Sequence, residues 1–492
     1  MTGLSSGNYA GPNTNCNRRD TFVTNVTRWV NDRVGISHAL KAGMEIERGS
    51  GTTWSGIPGG RLYQDANGKA SQVVYFNGQT TNATSRRNTF FVQDTWTVVR
   101  NLTVEPGIRY SQYRGSIPMQ SDVFSTNMID PRIGAAWDIL GDHKTLLRVH
   151  YGWSHDQFGT GQYGYLDFSN WSPRITYGIN ANGSLTYKSQ TVQPGNIVID
   201  PNVKQPSARQ FTIAFEREIF PDFGVTVQYV HRNYQDILAV VDSGSQWQAV
   251  QKQDPGQDNV LGTADDGQML TVYSLLNPGK IFFTLTNPGD ATRNYDAFML
   301  IAKKRFSHNW QMQVSYTHSK SMGQVDDYTG TNIGTFGDTA QTGEWANPNA
   351  RLNAYGVGSF AQPENFLFSG TYRLPSVKYV GGATISANYR VASGAPYGRL
   401  VTIRGLAQGN QSVRVESRST YRCPVLNQFD MRFEKTFPIG SARRTAGVYV
   451  DVFNLPNAGY ATAITENAGT QYGIPAGWAP GRSFQVGVRV AF

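Results

Sequence analysis

The sequence lacks long apolar runs and contains little cysteine and little charge. No segment approaches the roughly 20 apolar residues that a membrane-spanning helix needs, which argues against a helical membrane protein. The two cysteines, Cys16 and Cys423, are too few for a disulfide framework or a zinc site, and the sequence does not decide whether they pair. Charged residues make up only 16% of the chain, against the usual quarter.

The excess of basic residues is modest and scattered. The formal net charge is +9, but lysine and arginine are spread along the chain and do not gather into one stripe. A nucleic-acid-binding protein concentrates its basic residues on one surface. We therefore expect no nucleic-acid partner, and an anionic lipopolysaccharide surface suits the scattered charge better.

What the chain has in abundance is short segments in which apolar residues recur at every second position. The segment 482–492, R-S-F-Q-V-G-V-R-V-A-F, and the segment 102–111 are clear examples. Successive side chains of a strand point to opposite faces, so each segment predicts an amphipathic strand. About fifteen such strands are predicted, at roughly 20–30, 34–47, 87–99, 102–113, 130–139, 144–154, 208–219, 224–236, 293–306, 309–320, 364–374, 379–391, 426–437, 445–454 and 482–492.

The predicted connections alternate between short and long. Short turns occupy 99–101, 141–143, 221–224, 307–309, 375–377 and 438–444, whereas long segments rich in Gly, Asn, Asp, Pro and Ser occupy roughly 49–86, 155–207, 236–292, 321–363, 392–424 and 455–481. Long structureless loops are uncommon in compact soluble domains. The alternation is typical of a transmembrane barrel with tight periplasmic turns and long extracellular loops. The fold prediction is therefore an all-β, antiparallel transmembrane β-barrel, with a soluble β-sandwich as the alternative.

Several stretches resemble the barrel of TonB-dependent outer-membrane receptors, most of all the Oar-like subgroup, in which a carboxypeptidase-regulatory-like domain precedes plug and barrel. They include F-V-Q-D-T-W-T-V-V-R-N-L-T-V-E-P-G-I-R-Y (91–110), D-P-R-I-G-A-A-W-D (130–138), K-T-L-L-R-V-H-Y-G (144–152) and F-D-M-R-F-E-K-T-F (429–437). The resemblance implies a bacterial outer-membrane receptor, not an enzyme, whose barrel has about 22 strands. Such receptors capture a scarce ligand with extracellular loops and import it with energy relayed by TonB.

The chain is expected to be one part of a longer receptor. With the last strand running toward the periplasm, residues 1–19 fall outside the cell, and the first twenty residues have no signal-peptide pattern. We expect residues 1–492 to be the C-terminal part of a longer barrel, about 15–16 of its 22 strands, without plug or signal peptide. The implied partners are outer-membrane lipid and lipopolysaccharide, an unknown imported ligand, the TonB complex through the missing region, and the barrel-assembly machinery, which would read the strand ending at Phe492.

Two other functions stay open at this point. A surface structural or adhesion protein would use the long loops to hold partners and move nothing across the membrane. A passive porin would need an even strand count and a signal peptide. An outer-membrane enzyme is disfavoured because no catalytic constellation is seen.

One loop is a candidate metal site. The stretch 254–267, D-P-G-Q-D-N-V-L-G-T-A-D-D-G, combines hard oxygen ligands with glycines that permit tight turns, which suits calcium, although the spacing is not that of an EF-hand. The alternative is a solvated acidic loop. The predicted calcium ligands are Asp254, Asp258, Asn259, Asp265 and Asp266.

Other polar residues favour structural roles. His143, His150 and His155 lie close in sequence, but their spacing is not that of a helical zinc pair. A set of polar residues is predicted to face the barrel lumen, where it would form a hydrogen-bonded network or contact a plug or ligand. These residues are Glu105, Arg109, Arg148, Gln228, Arg432, Glu434 and Arg489.

Overall fold

Fifteen long strands form one antiparallel sheet in which each strand pairs with its neighbours in sequence. The computed structural model describes residues 13–31, 36–66, 68–191, 195–324, 345–359, 361–375, 382–439 and 444–491. The strands are β1 (Asn13–Asn31), β2 (Ser37–Ser55), β3 (Gln79–Val99), β4 (Leu102–Ile117), β5 (Gln120–Asp138), β6 (Thr145–His155), β7 (Ser207–Phe220), β8 (Phe223–Gln235), β9 (Arg293–Ser307), β10 (Trp310–Gly323), β11 (Glu364–Arg373), β12 (Ala383–Ala392), β13 (Leu426–Pro438), β14 (Thr445–Phe453) and β15 (Ser483–Ala491).

The all-β, antiparallel architecture is confirmed, and each of the fifteen predicted segments overlaps one strand of this sheet. The two-residue strand Gly356–Val357 pairs with the end of β10 as a sixteenth member. The strands β1 and β15 form the two ends of the pairing order, and among the described residues no hydrogen-bonded ladder joins them. The terminal Phe492 lies outside the described residues.

Several strands are longer than predicted. β2 continues to Ser55 and β3 begins at Gln79, so much of the expected loop 49–86 is strand. β4 and β5 continue past their predicted ends and pair until Ile117 meets Gln120 across a tight hairpin. These extensions lie beyond the stretch in which one face is apolar, so the two-residue apolar period that predicts strands is missing there.

Sharp turns join alternate pairs of strands at one end of the sheet. The turn at 221–222 places Asp222 at φ 67°, and the next such turn places His308 and Asn309 at φ 50° and 68°. Short polar side chains tolerate this left-handed region best, which explains aspartate and asparagine at these positions. The predicted turns after 375 and 438 include residues 376–377 and 440–443, which lie outside the described residues.

The long loops at the other end carry secondary structure of their own, which corrects the expectation that they are structureless. A four-stranded sheet joins the 56–78 and 156–206 loops, and a three-stranded sheet joins the 156–206 and 236–292 loops. Loops that pair with one another satisfy their backbone groups without the main sheet. The loop strands are Arg61–Ala66, Lys69–Tyr75, Ile175–Ile179, Leu185–Gln190, Ile197–Ile199, Ala239–Asp242, Trp247–Gln253, Met269–Leu275, Phe283–Thr286, Pro396–Tyr397, Leu400–Ile403, Gln411–Arg414, Tyr421–Arg422, Ala461–Ile464 and Pro475–Trp478.

In the residues that the structure describes, helical structure is limited to short pieces in the loops. These are one helical turn, Pro348–Arg351, and the 3-10 turns Pro58–Gly60, Thr160–Gln162 and Gly164–Leu166. Across the described ranges, no helix has the length and apolar character that crossing a membrane requires.

The main sheet has an apolar outer face. Side chains such as Ile133, Phe298 and Phe433 are 51%, 45% and 44% exposed, although they are large and hydrophobic. The main buried cluster lies instead under the loops, where Phe158, Tyr163 and other side chains pack together. An apolar surface outside and a loop core at one end are the arrangement expected of a sheet whose outer face contacts lipid.

Candidate functional site

The pairing register places all seven predicted lumen residues on the face opposite the apolar band, which we call the inner face. Arg109 of β4 lies directly opposite Asp130 of β5 in the strand register, whereas the neighbouring Ile108 points to the apolar side. Directly opposite residues of antiparallel strands share a face, so one assignment carries across the sheet. The strand registers of β4 to β8 and of β12 to β15 assign the other six residues to the inner face as well.

A charged network crosses the inner face of β2, β3 and β4. The Arg87 guanidinium contacts the carboxylates of both Glu45 and Glu47, at 3.0 Å for the latter. Arg109 donates to the second oxygen of Glu45 at 2.9 Å. Glu45 and Glu47 therefore each have a cationic partner, as groups withdrawn from bulk water require. The sequence did not single out Arg87, Glu45 or Glu47, because which strands are neighbours cannot be read from alternation alone.

A second network lies near the last strands. Arg432 donates to both oxygens of Asp451, at 2.6 and 2.8 Å, and its guanidinium lies 4.5 Å from the centre of the Tyr449 ring. The fork of arginine matches a carboxylate and can stack on an aromatic ring at the same time. Arg489 lies 3.7 Å from Glu434, and Arg148 pairs with Glu216 on another part of the wall.

A cavity of about 390 Å³ opens in the inner face of β3 to β7. Its lining includes Arg87 and Arg109 from the first network, together with Arg132, His150 and His155. His155 hydrogen-bonds Asp130 at 2.6 Å through Nδ1. His150 and His155 thus line one cavity, whereas His143 lies in a turn, 3.1 Å from Asp138.

The loop predicted to bind calcium uses its oxygen atoms inside the protein. Asp254 forms a two-bond ion pair with Arg399, at 2.7 and 3.2 Å, and both side chains are largely buried. Asn259 accepts the Thr402 amide at 2.9 Å, which ties the loop to the neighbouring 393–425 loop. Asp254 and Asn259 therefore hold two loops together.

The other three predicted ligands shape the loop itself. Asp258 accepts the Val260 amide and Asp266 accepts the Gly262 amide, at 2.8 and 2.7 Å. Asp265 accepts the Thr263 hydroxyl and the amides of Gln257 and Asp258, and these bonds lower the pKa of its carboxyl. In the part of the chain that the structure describes, no group of three or more His, Cys, Asp or Glu side chains is arranged to hold a metal ion. Calcium binding itself stays a prediction.

The two cysteines are both free. Cys16 is exposed on β1, whereas Cys423 is buried among the loops. Burial raises the pKa of the Cys423 thiol and so disfavours its reactive thiolate form.

The loops also present an aromatic surface. Tyr63, Val73, Tyr177 and Tyr187 lie in one row across the four-stranded loop sheet, each directly opposite the next. Tyr63 and Tyr187 are 53% and 58% exposed, whereas Val73 is fully covered. Tyrosine combines contact area with a polar hydroxyl, so this row is suited to contact a partner outside the cell.

Comparison with known proteins identifies a family and relatives that this chain resembles. Residues 117–416 match the family described as the outer membrane beta barrel domain. The chain is 21% identical over 481 residues to the TonB-dependent transporter Oar of Myxococcus xanthus, a match that covers 86% of this chain and 42% of that protein. The chain thus spans less than half the length of this relative.

Solved structures of outer-membrane proteins share the fold. The outer membrane transporter YddB of Escherichia coli aligns with a TM-score of 0.61 at 14% identity, covering 97% of this chain and 55% of that one. The ferric-catecholate import receptor Fiu of Escherichia coli K12 aligns with a TM-score of 0.52 at 13% identity, covering 96% and 54%. At these identities the likeness concerns the fold alone.

Proposed function

The chain belongs to the outer membrane beta barrel domain family, and from this we propose that it forms the barrel part of a TonB-dependent receptor, which captures a ligand with its extracellular loops and imports it with energy relayed by TonB. The protein resides in the bacterial outer membrane. Its relatives include a transporter and an import receptor, which fits a protein that is not an enzyme.

One observation carries the proposal: the similarity to a TonB-dependent transporter covers 86% of the chain. The inner face supports it. A transport route needs a polar wall, and here charged residues line the side opposite to the apolar band. The plug and the TonB contact belong, in this proposal, to sequence beyond these 492 residues.

Ligand capture would fall to the loops on the long-loop side. Their shared sheets and the row of Tyr63, Tyr177 and Tyr187 supply contact area that is held in place before a ligand arrives. Preorganised contacts lose less entropy on binding. The remaining proposed partners are lipid and lipopolysaccharide around the apolar band, and the barrel-assembly machinery at the C-terminal strand.

A genetic experiment tests the proposal without knowledge of the ligand. The gene for this protein and the gene for TonB are deleted singly and together, and growth is measured on a panel of single iron, vitamin and carbon sources. We expect at least one source on which loss of the receptor slows growth and on which the double mutant grows no slower than the TonB mutant. Slower growth of the double mutant on that source would contradict TonB-coupled import.

The same strains separate the alternatives. A passive porin would support uptake of its solute in the TonB mutant. An adhesion protein would leave growth unchanged on every source and reduce attachment of the cells to surfaces.

We also keep calcium binding to the 254–267 loop as a proposal. Equilibrium dialysis with radioactive Ca²⁺, comparing the protein with its Asp265→Asn and Asp266→Asn variants, tests it. The same amount of bound Ca²⁺ in all three proteins would rule this loop out.

A further inference from the structure

A hollow in the inner face of the sheet is centred on Arg132 of β5. Arg132 lies directly opposite Gly107 of β4 on one side and Gly152 of β6 on the other. Opposite residues of antiparallel strands share a face, so Arg132 has no side chain beside it in this row. In the adjoining row, a third glycine, Gly134, occupies β5 itself. The three glycines leave a depression around one arginine.

The glycines are needed to keep this space. A β carbon at residue 152 would lie 3.0 Å from Nε2 of His150 and 3.3 Å from the β carbon of Arg132. A β carbon at residue 107 would lie 3.3 Å from the γ carbon of Arg132. Alanine at either position would therefore crowd the stem of Arg132 and narrow the hollow.

Two acidic groups around the hollow already have partners, and a third, Glu105, lies opposite Gly134 and makes no ion pair among the described residues. Glu45 pairs with Arg87 and Arg109, and Asp130 pairs with His155. Throughout the described ranges no ion pair or side-chain hydrogen bond is made by Arg132, which nevertheless lines the 390 Å³ cavity. The N–H groups of its guanidinium are thus available to a ligand. An arginine guanidinium is suited to bind a carboxylate or phosphate through two hydrogen bonds.

Two further polar side chains line the cavity next to this charge. His150, which likewise has no hydrogen-bond partner among the described residues, and Gln210 line the same cavity. Gln210 uses its amide oxygen for Arg232 and its amide nitrogen for Thr212. The surroundings therefore combine one unpaired positive charge with a histidine that can donate a further hydrogen bond.

From this arrangement we propose that the hollow around Arg132 is a binding site for an anionic solute, held by its carboxylate or phosphate group on its way along the inner face. The inference rests on the proposed function, because it names the chemical class of the imported ligand as an anion. A cavity of this size lies within the range of small-molecule sites.

Binding to the full chain in detergent micelles tests the proposal. Citrate and inorganic phosphate are the probes, glycerol is the uncharged control, and heat release on titration is the readout. We expect citrate or phosphate to bind and glycerol not to bind, and we expect affinity to fall as sodium chloride is added, because salt screens an exposed charge.

Three variants locate the site. Arg132→Gln should weaken anion binding roughly tenfold or more, the effect expected for losing charge-assisted hydrogen bonds. Gly152→Ala should also weaken binding, although it changes no charge. Arg489→Gln is the control and should bind like the unaltered protein. It removes an arginine from the inner face of β15, a strand that is distant from β5 in the order of paired strands. Near-ultraviolet circular dichroism checks that each variant is folded.

Two results would overturn the inference: neither probe binds the unaltered protein, or both bind folded Arg132→Gln with unchanged affinity. Its failure can be told from failure of the proposed function. If growth depends on TonB but no anion binds, only the anion site at the hollow is contradicted. If anions bind in an Arg132-dependent way but the growth defects from losing the receptor and losing TonB add up, only TonB coupling is contradicted.

Discussion

Asp254 and Arg399 form a buried, two-bond ion pair that joins two extracellular loops, with 3% of the Asp254 side chain and 13% of the Arg399 side chain exposed. Beside it, Val272 and Val401 belong to one apolar cluster shared by the same two loops. The loops are therefore a packed assembly and not independent tethers. Glu416 lies 3.7 Å from Arg399 and gives the guanidinium a second acidic neighbour.

Asp254→Ala should loosen this assembly. Removing one partner of a buried ion pair leaves the other charge without compensation, and we expect a loss of about 3 kcal/mol, near the low end for such pairs because Glu416 remains. Hydrogen exchange of the hairpin formed by Trp247–Gln253 and Met269–Leu275 should accelerate. Asp258→Ala is the control, because Asp258 is exposed and accepts only a local amide bond. Equal exchange in the two variants would show that the ion pair does not hold the loops.

The inner face of the last two strands is sensitive to a single methyl group. A β carbon at Gly487 would lie 2.2 Å from Cζ of Tyr449, whose ring is held against Arg432. Gly487→Ala should therefore destabilise the sheet by about 1–3 kcal/mol, the usual range for overpacking. Urea unfolding in lipid vesicles measures the loss.

Gly447→Ala provides the matched control for this prediction. Its β carbon would come no closer than 3.3 Å, to the flexible end of Glu434. A second check is the Tyr449→Ala background, in which Gly487→Ala should be almost neutral. If Gly487→Ala is equally harmful there, the clash with the ring is not the cause.

The sequence predicted the sheet well and the site poorly, for one physical reason. Strands in contact with lipid must alternate, so segments such as 102–111 and 482–492 are visible in the pattern of apolar residues. Beyond the apolar band that requirement ends, and the paired stretch from Tyr113 to Met128 carries no such signal. The hollow depends on register: Gly107 and Gly152 flank Arg132 only because of how three strands align, and no spacing within one strand encodes that alignment.

The calcium candidates illustrate the same limit within a loop. Asp254 and Asp265 are near in sequence, and their residue type alone suits a cation. In the structure Asp254 forms an ion pair with Arg399, on a loop that begins more than a hundred residues later. Asp265 instead accepts a hydrogen bond from Thr263 in its own turn. The distant partner could not be inferred from the local pattern.

Acid should weaken the 254–267 loop. Hydrogen bonds, first that from the Thr263 hydroxyl and then backbone amides, lower the pKa of the Asp265 carboxyl. A lowered pKa means that the contribution of the carboxylate is fully present above the ordinary aspartate pKa and is lost as pH falls through the lowered value. Thr263→Val should therefore raise the pKa of Asp265 toward its ordinary value, as measured by carbon NMR of the carboxyl group. An unchanged pKa would mean that the backbone amides suffice.

Neighbouring residues of β9 should respond in opposite ways to the same charge. Leu300 belongs to the apolar outer face and is 42% exposed, whereas Met299 points inward between Gln228 and Thr317. Leu300→Arg places a charge against lipid and should cost about 2–4 kcal/mol if residue 300 lies near the bilayer midplane. Met299→Arg places the same charge on the polar wall and should cost much less. Unfolding in lipid vesicles compares the two variants, and a larger loss for Met299→Arg would mean that the outer and inner faces have been assigned the wrong way round.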